Sequence, residues 1–211
     1  SKPGDRDYSN FSIEKYSRAA LINQGFEVCE IDISHGDTIP SLINIVVLAE
    51  MRTPLTEKGE SQLETYLARG GNLFILTDTG RQEIMNPFLG RFGIKMEEYQ
   101  LAQSSADFSP NLILAKATRE SGKLTFGFKD DFPKHDLRVS MPGCVALTSF
   151  DNDYGFQYTP ILETNAKGVW IEKEQTDLED SPVQCNASAE EKEQTYITAY
   201  ALSRQLKDKE Q

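Results

Sequence analysis

The sequence predicts an α/β fold: a mostly parallel, doubly wound sheet, with a region of short antiparallel strands in the second half. Three observations carry this. The run Ile43-Asn44-Ile45-Val46-Val47-Leu48-Ala49 is almost continuously apolar and β-branched, the pattern of a parallel strand covered on both faces. Up to about residue 93, helical and strand-like stretches follow the order α-β-β-α-β-α, which suits crossover helices packed on a parallel sheet. After about residue 97 the apolar segments become short and are separated by Pro, Gly, Asp and Asn, the texture of antiparallel strands and turns.

Each element has its own reason. Residues 12–24 place Ile13, Tyr16, Ala20 and Leu21 on one helical face, with Gly25 as the stop. Residues 26–33 alternate apolar Phe26 and Val28 with Glu27 and Glu30 and predict a strand, followed by a turn at Ser34-His35-Gly36-Asp37. Pro54 and Thr56 open the next helix, with Thr56 as N-cap and Leu63, Tyr66 and Leu67 as its buried stripe. Gly70-Gly71 ends it: one glycine takes a left-handed C-cap, the other makes the tight turn into the strand at 73–76. A short helix spans 83–91 and closes at Gly93. The segments 112–115, 124–128, 145–150 and 169–171 read as short strands. Ser188-Ala189-Glu190-Glu191 is a capping-box pattern that predicts a final helix carrying Ile197, Tyr200, Ala201 and Leu206.

The domain reading follows. Residues 1–96 form the α/β core, 97–187 a short-strand insert with an acidic loop, and 188–211 a C-terminal helix packing back on the core. The chain has 211 residues, 22 Lys plus Arg and 33 Asp plus Glu, a formal net charge of −11. Ten acids and five bases fall in residues 172–211, so about half of the net charge lies there. Such an acidic surface repels phosphate backbones, which argues against nucleic-acid binding and against a polybasic anchor. No apolar run approaches the roughly 18 residues of a membrane helix.

Residues able to do chemistry are sparse. His35 and His135 both stand in polar turns. Cys29, Cys144 and Cys185 are widely spaced and form no metal or redox motif. No nucleophile elbow, P-loop or dinucleotide fingerprint occurs. Asp151-Asn152-Asp153 resembles the start of a calcium loop but lacks its glycine and distal glutamate. The sequence thus predicts no catalytic residues, no metal and no cofactor. One location stands out, because ligands in open α/β sheets bind outside the carboxyl ends of the strands. The loops there carry Glu50 and Arg52 after one strand and Asp78, Thr79 and Arg81 after another, and the leading Asp5-Arg6-Asp7-Tyr8 can join them. Arginines among carboxylates make a polar pocket or a ridge for docking a partner. The plainer alternative is that these charges cap helices and solvate an edge.

The segment Tyr66-Leu67-Ala68-Arg69-Gly70-Gly71-Asn72-Leu73-Phe74-Ile75-Leu76-Thr77-Asp78 resembles the Y-L-x-x-G-G-x-L-x-I-L-x-D stretch of class I glutamine-amidotransferase-like domains, whose sheets are flavodoxin-like. More narrowly, the chain is similar to the ABC-transporter auxiliary family, which includes the gliding-motility transporter component and related domains of intraflagellar-transport proteins. Supporting segments are Gly4-Asp5-Arg6-Asp7, Pro54-Leu55-Thr56, Val139-Ser140-Met141-Pro142-Gly143, Pro160-Ile161-Leu162-Glu163-Thr164 followed by Trp170, and Ala201-Leu202-Ser203-Arg204. The amidotransferase triad does not carry over: no cysteine follows the strand ending at Asp78, and no His-x-Glu pair occurs later.

The resemblance implies a non-catalytic, extracytoplasmic domain on the periplasmic side of the bacterial inner membrane. It implies association with ABC transporter permease and ATPase components, binding a partner protein or an envelope ligand. The family's flanking strands are missing at both ends, so the chain reads as an excised piece. It would meet a membrane only through segments outside this chain, and its unpaired sheet edges favour a homodimer. Two rival readings are a degenerate amidotransferase-like hydrolase using Asp78, and a pure scaffold whose acidic 172–195 stretch meets a basic partner.

Overall fold

The computed structural model describes residues 21, 25–49, 51–150, 155–174, 178 and 183–205. Contacts divide the chain into two units, Ser1–Asn44 with Leu55–Gly71, and Ile45–Pro54 with Asn72–Gln211.

The first unit is organised by helix α1, Glu57–Ala68. Thr56 caps it as expected: its hydroxyl oxygen accepts the Gly59 N–H at 3.1 Å, and the hydroxyl donates to the Ser34 carbonyl at 2.9 Å. Leu63 and Tyr66 are each 1% exposed. The helix ends in a Schellman pair, Gly70 N–H to Leu67 carbonyl and Gly71 N–H to Tyr66 carbonyl, with Gly70 at φ 95°. A Cβ at Gly71 would fall inside the Tyr66 ring, so the second glycine is demanded by close approach. Arg69 donates to the Ile39 and Pro40 carbonyls at 2.7 Å each and stands 5.3 Å from the Tyr66 ring centroid. The expected strand at 26–33 does not form. Residues 26–32 join no sheet among the described residues, and Phe26, Glu27, Cys29 and Glu30 are exposed. Alternation supplies a face, but a strand also needs a neighbour for its backbone groups. The helix expected at 12–24 lies, apart from Leu21, outside the described residues.

In the second unit, β1 (Ile45–Ala49) pairs in parallel with β2 (Asn72–Leu76), Ile45 opposite Asn72 through Ala49 opposite Leu76. Helix α2, Gln82–Leu89, continues into a 3-10 turn that closes on Gly93 at φ 72°. Then come β3 (Ile94–Gln103), β4 (Leu112–Ala117), β5 (Val139–Pro142), β6 (Val145–Ser149), β7 (Gln157–Glu163), β8 (Val169–Ile171) and β9 (Ile197–Ser203). They form two antiparallel sheets, ordered β6-β3-β8 and β5-β4-β7-β9, that curl into a half-barrel. Buried clusters fill them, around Met85, Met96 and Val145, around Leu101, Ile113 and Val169, and around Ala102, Trp170 and Leu178.

This overturns the doubly wound expectation: the fold is mixed α/β and mostly antiparallel, and among the described residues its parallel part is the β1–β2 pair. The physical reason lies in β3. Its first half pairs with β6 and its second half with β8, and the β6 register breaks between Met96 and Gln100. At that break α2 supplies the partners. Asn86 Oδ1 accepts the Met96 N–H at 2.8 Å and its amide donates to the Met96 carbonyl at 3.1 Å. Gln82 donates to the Glu97 and Glu98 carbonyls at 3.2 and 2.8 Å. Helix α2 therefore grips β3 from the side instead of crossing to a parallel neighbour.

Two further expectations fail. Residues 124–128 are not a strand; they follow a 3-10 turn at Glu120–Lys123 and run into a π-helical turn at Gly127–Asp131. The expected C-terminal helix is instead β9, antiparallel to β7. The helical signal at 188–191 is spent in one 3-10 turn, Ala187–Ala189, after which Glu190 takes a left-handed φ of 60°. The chain beyond it, Ile197-Thr198-Ala199-Tyr200, is rich in β-branched and aromatic residues and suits a ladder.

Candidate functional site

The ridge residues that the structure describes are Arg52, Asp78, Thr79 and Arg81; Glu50, Asp5 and Arg6 lie outside the described residues. Arg52 follows β1 and is exposed, and Asp78 and Thr79 follow β2. Asp78 turns onto its own loop, its carboxylate accepting the Thr79 N–H at 2.7 Å. Both residues meet the β5–β6 turn. A Cβ on Gly143, itself at φ 62°, would lie 3.4 Å from Asp78 Oδ1 and 3.7 Å from Thr79 Cγ2. Arg81 serves the helix: it is the N-cap position of α2, its carbonyl accepting the Ile84 and Met85 N–H groups.

The residue after Gly143 is Cys144. Burial first, with the Asp78 carboxylate adding to it, pushes its thiol up to about 12. A nucleophilic thiol needs the opposite environment, a cation or an imidazolium at its side. Burial, with Asp78 as a smaller contributor, therefore keeps the sulfur protonated.

A second cluster superficially resembles hydrolase machinery. Ser34, His35 and Asp32 share one turn. Both the Ser34 hydroxyl (3.2 Å) and Asp32 Oδ2 (3.1 Å) approach His35 at Nδ1, and the Ser34 hydroxyl also donates to Asp32 Oδ1. A triad needs serine and aspartate on opposite ring nitrogens, so no proton relay runs through this imidazole. The His35 and Asp32 side chains are 84% and 61% exposed. The Ser34 hydroxyl and backbone N–H, and then His35, hold the Asp32 carboxyl below its ordinary value.

Sequence reasoning missed two buried carboxylates at the base of the acidic stretch. Glu172 is 4% exposed; it accepts the Trp170 indole N–H at 2.9 Å and the Glu174 N–H at 3.0 Å. Glu191, 3% exposed, accepts the Lys173 N–H at 2.9 Å and the Asn186 N–H at 2.6 Å. Asn186 also donates to Glu174 at 2.8 Å, and its own side-chain oxygen accepts the Ser188 N–H at 3.0 Å. These contacts clasp residues 172–174 to 186–191. The signal for Glu172 was its i+2 spacing from Trp170 along a strand, which puts both on one face. An open groove beside the clasp is lined by Lys173, Glu190, Lys192 and Tyr196, and another by His35, Glu57, Lys58 and Gln62; Asp78 lines neither. No group of metal-ligating side chains occurs among the described residues, and none of their helices is long and apolar enough to cross a membrane.

No family model and no curated protein matches this sequence. Among solved structures, the mmIFT52 N-terminal domain has a similar fold, with a TM-score of 0.50 and 15% sequence identity. The likeness covers 71% of this chain and 64% of that one, so the chain spans less than two thirds of that structure's length. At this identity the likeness is one of fold.

Proposed function

We propose that this chain is a non-catalytic binding domain of a bacterial ABC-type transport system, working on the periplasmic side of the inner membrane. It holds a partner through the loops that follow β1 and β2, with Arg52, Asp78, Thr79 and Arg81 as contact residues. The observation that carries the binding role is the junction of Asp78 with the Gly143-Cys144 turn. Burial, and after it the carboxylate, raises the neighbouring thiol, which opposes thiol chemistry there. The transport context rests on the resemblance of the 66–78 segment and its accompanying motifs.

The test is co-purification of the chain, in its native host, with permease and ATPase subunits encoded beside it. Wild-type protein is expected to bring both down. The Arg52→Ala/Arg81→Ala double variant is expected to lose most of the capture while its melting temperature stays within a degree or two. Equal capture by the double variant would remove the ridge, and absence of any permease or ATPase would remove the transport reading.

A further inference from the structure

The excursion between β4 and β5 presents an exposed aromatic side chain with exposed lysines before and after it in sequence. Its inner side is firmly built. The Thr118 hydroxyl donates to the Pro160 carbonyl at 2.5 Å, and Ser121, 0% exposed, bonds back to Thr118 through both its N–H and its hydroxyl. Phe128 and Phe132 meet edge to face at 5.0 Å. The turns pack backbone to backbone, since a Cβ at Gly122 would lie 3.3 Å from the Lys129 Cα. Its outer side is left open: Phe126 is 70% exposed, Leu124 46% and Leu137 42%. A ring held out from so anchored a base has not simply failed to collapse.

The charges that flank that side chain in sequence bear on its occupant. Residues 119–138 carry Arg119, Lys123, Lys129, Lys134 and Arg138 against Glu120, Asp130, Asp131 and Asp136, five bases to four acids and a net +1, in a chain of net −11. Lys123 and Lys129 stand three residues either side of Phe126 and are exposed, as is Lys134. Arg138 is paired with Asp136 at 2.6 Å. Protein interfaces are depleted in lysine and enriched in arginine, whereas membrane-surface segments combine lysines on the polar side with Phe and Leu on the other. Long lysine stems lie along an apolar boundary while their ammonium groups meet phosphate. Charges elsewhere on this acidic chain are screened beyond about 8–10 Å at physiological salt, so a lipid surface at the tip meets the local pattern.

From this we infer that the 119–138 excursion docks on an anionic phospholipid surface, Phe126 and Leu124 entering the headgroup boundary and the three lysines contacting lipid phosphates. This surface is separate from the ridge, and the inference does not rest on the transport reading.

The experiment is sedimentation of the full chain with vesicles of phosphatidylcholine containing phosphatidylglycerol, and with phosphatidylcholine alone. Partitioning is expected into the anionic vesicles and to fall with added salt. Phe126→Ser is expected to weaken it about tenfold, the effect of withdrawing one phenyl group from an apolar boundary. The Lys123→Gln/Lys129→Gln/Lys134→Gln variant is expected to lose the salt dependence. In Phe126→Trp the added indole emission shifts to the blue on vesicle addition, while Trp170, 1% exposed, gives a constant background. All these side chains are exposed, so melting temperatures stay near wild type and report folding independently. No partitioning into anionic vesicles, or partitioning unchanged in Phe126→Ser, would overturn the inference. So would capture by a polyglutamate peptide without vesicle binding, which would reassign the tip to an acidic protein partner.

Discussion

Replacing Glu191 by alanine tests whether the carboxylate clasp holds the acidic stretch in place. Glu191 is 3% exposed, and its two oxygens accept backbone N–H groups from Lys173 and Asn186 at 2.9 and 2.6 Å. Hydrogen bonds to a charged acceptor are each worth about 1.5–3 kcal/mol, and alanine leaves both donors without their acceptor. Both donors are only part-buried, so water makes up some of the loss, and a net cost of about 3 kcal/mol is expected. For a chain of this length 1 kcal/mol corresponds to roughly 2–4 °C, so the melting temperature should fall by about 6–12 °C. Glu191→Gln keeps one acceptor oxygen and should fall by about half as much. Thermal denaturation followed by circular dichroism gives the size of the effect, and amide hydrogen exchange locates it. The Lys173 and Asn186 amides should exchange about tenfold faster or more, while those of β3 change little. A melting temperature within about a degree of wild type, with both amides still protected, would refute the clasp.

Gly71→Ala drives a methyl group into the buried Tyr66 ring and should cost about 1–3 kcal/mol by overpacking, read as a lower urea midpoint at unchanged slope. Gly80→Ala meets open space but a φ of 74°, so it should cost about 1 kcal/mol, from backbone conformation alone. Cys144 should resist alkylation at pH 8 in the native protein and react only on unfolding, as mass spectrometry of iodoacetamide-treated protein would show; labelling as fast as in urea would contradict the burial assigned to it. The same thiol sets a pH trend. From about 9.0, where the unfolded thiol ionises, up to about 12 the folded thiol keeps its proton, so unfolding releases a proton and stability falls as pH rises. Substituting Cys144 by Ala should flatten that alkaline decline in a pH series of melts.

Local signals in the sequence were legible wherever one residue decides the geometry. Thr56 capping α1, the Gly70-Gly71 stop and Gly93 after α2 follow from backbone chemistry confined to a few residues. Strand direction was not legible, because it depends on which neighbour accepts the ladder. The apolar segments at 112–115, 145–150 and 169–171 lie in β4, β6 and β8, but nothing within them announces that β3 divides its length between two partners. The capping box misled for a related reason. Glu191 does reach back to a backbone N–H, that of Asn186, but its other oxygen is claimed by Lys173, and a single turn satisfies the pattern. That Asp78 follows a strand was legible, whereas its approach to the Gly143-Cys144 turn joins residues far apart in sequence.

The amide grip of α2 on β3 also has a mechanical side. Arg81 begins α2, so a load on the 77–81 loop is a load on the helix itself. Gln82 and Asn86 then transmit it to the backbone at Met96, Glu97 and Glu98, the point where β3 passes from one neighbour to the other. Four bonds from two side-chain amides stand there in place of ladder bonds, so losing Gln82 or Asn86 would leave β3 backbone groups without partners where the register breaks.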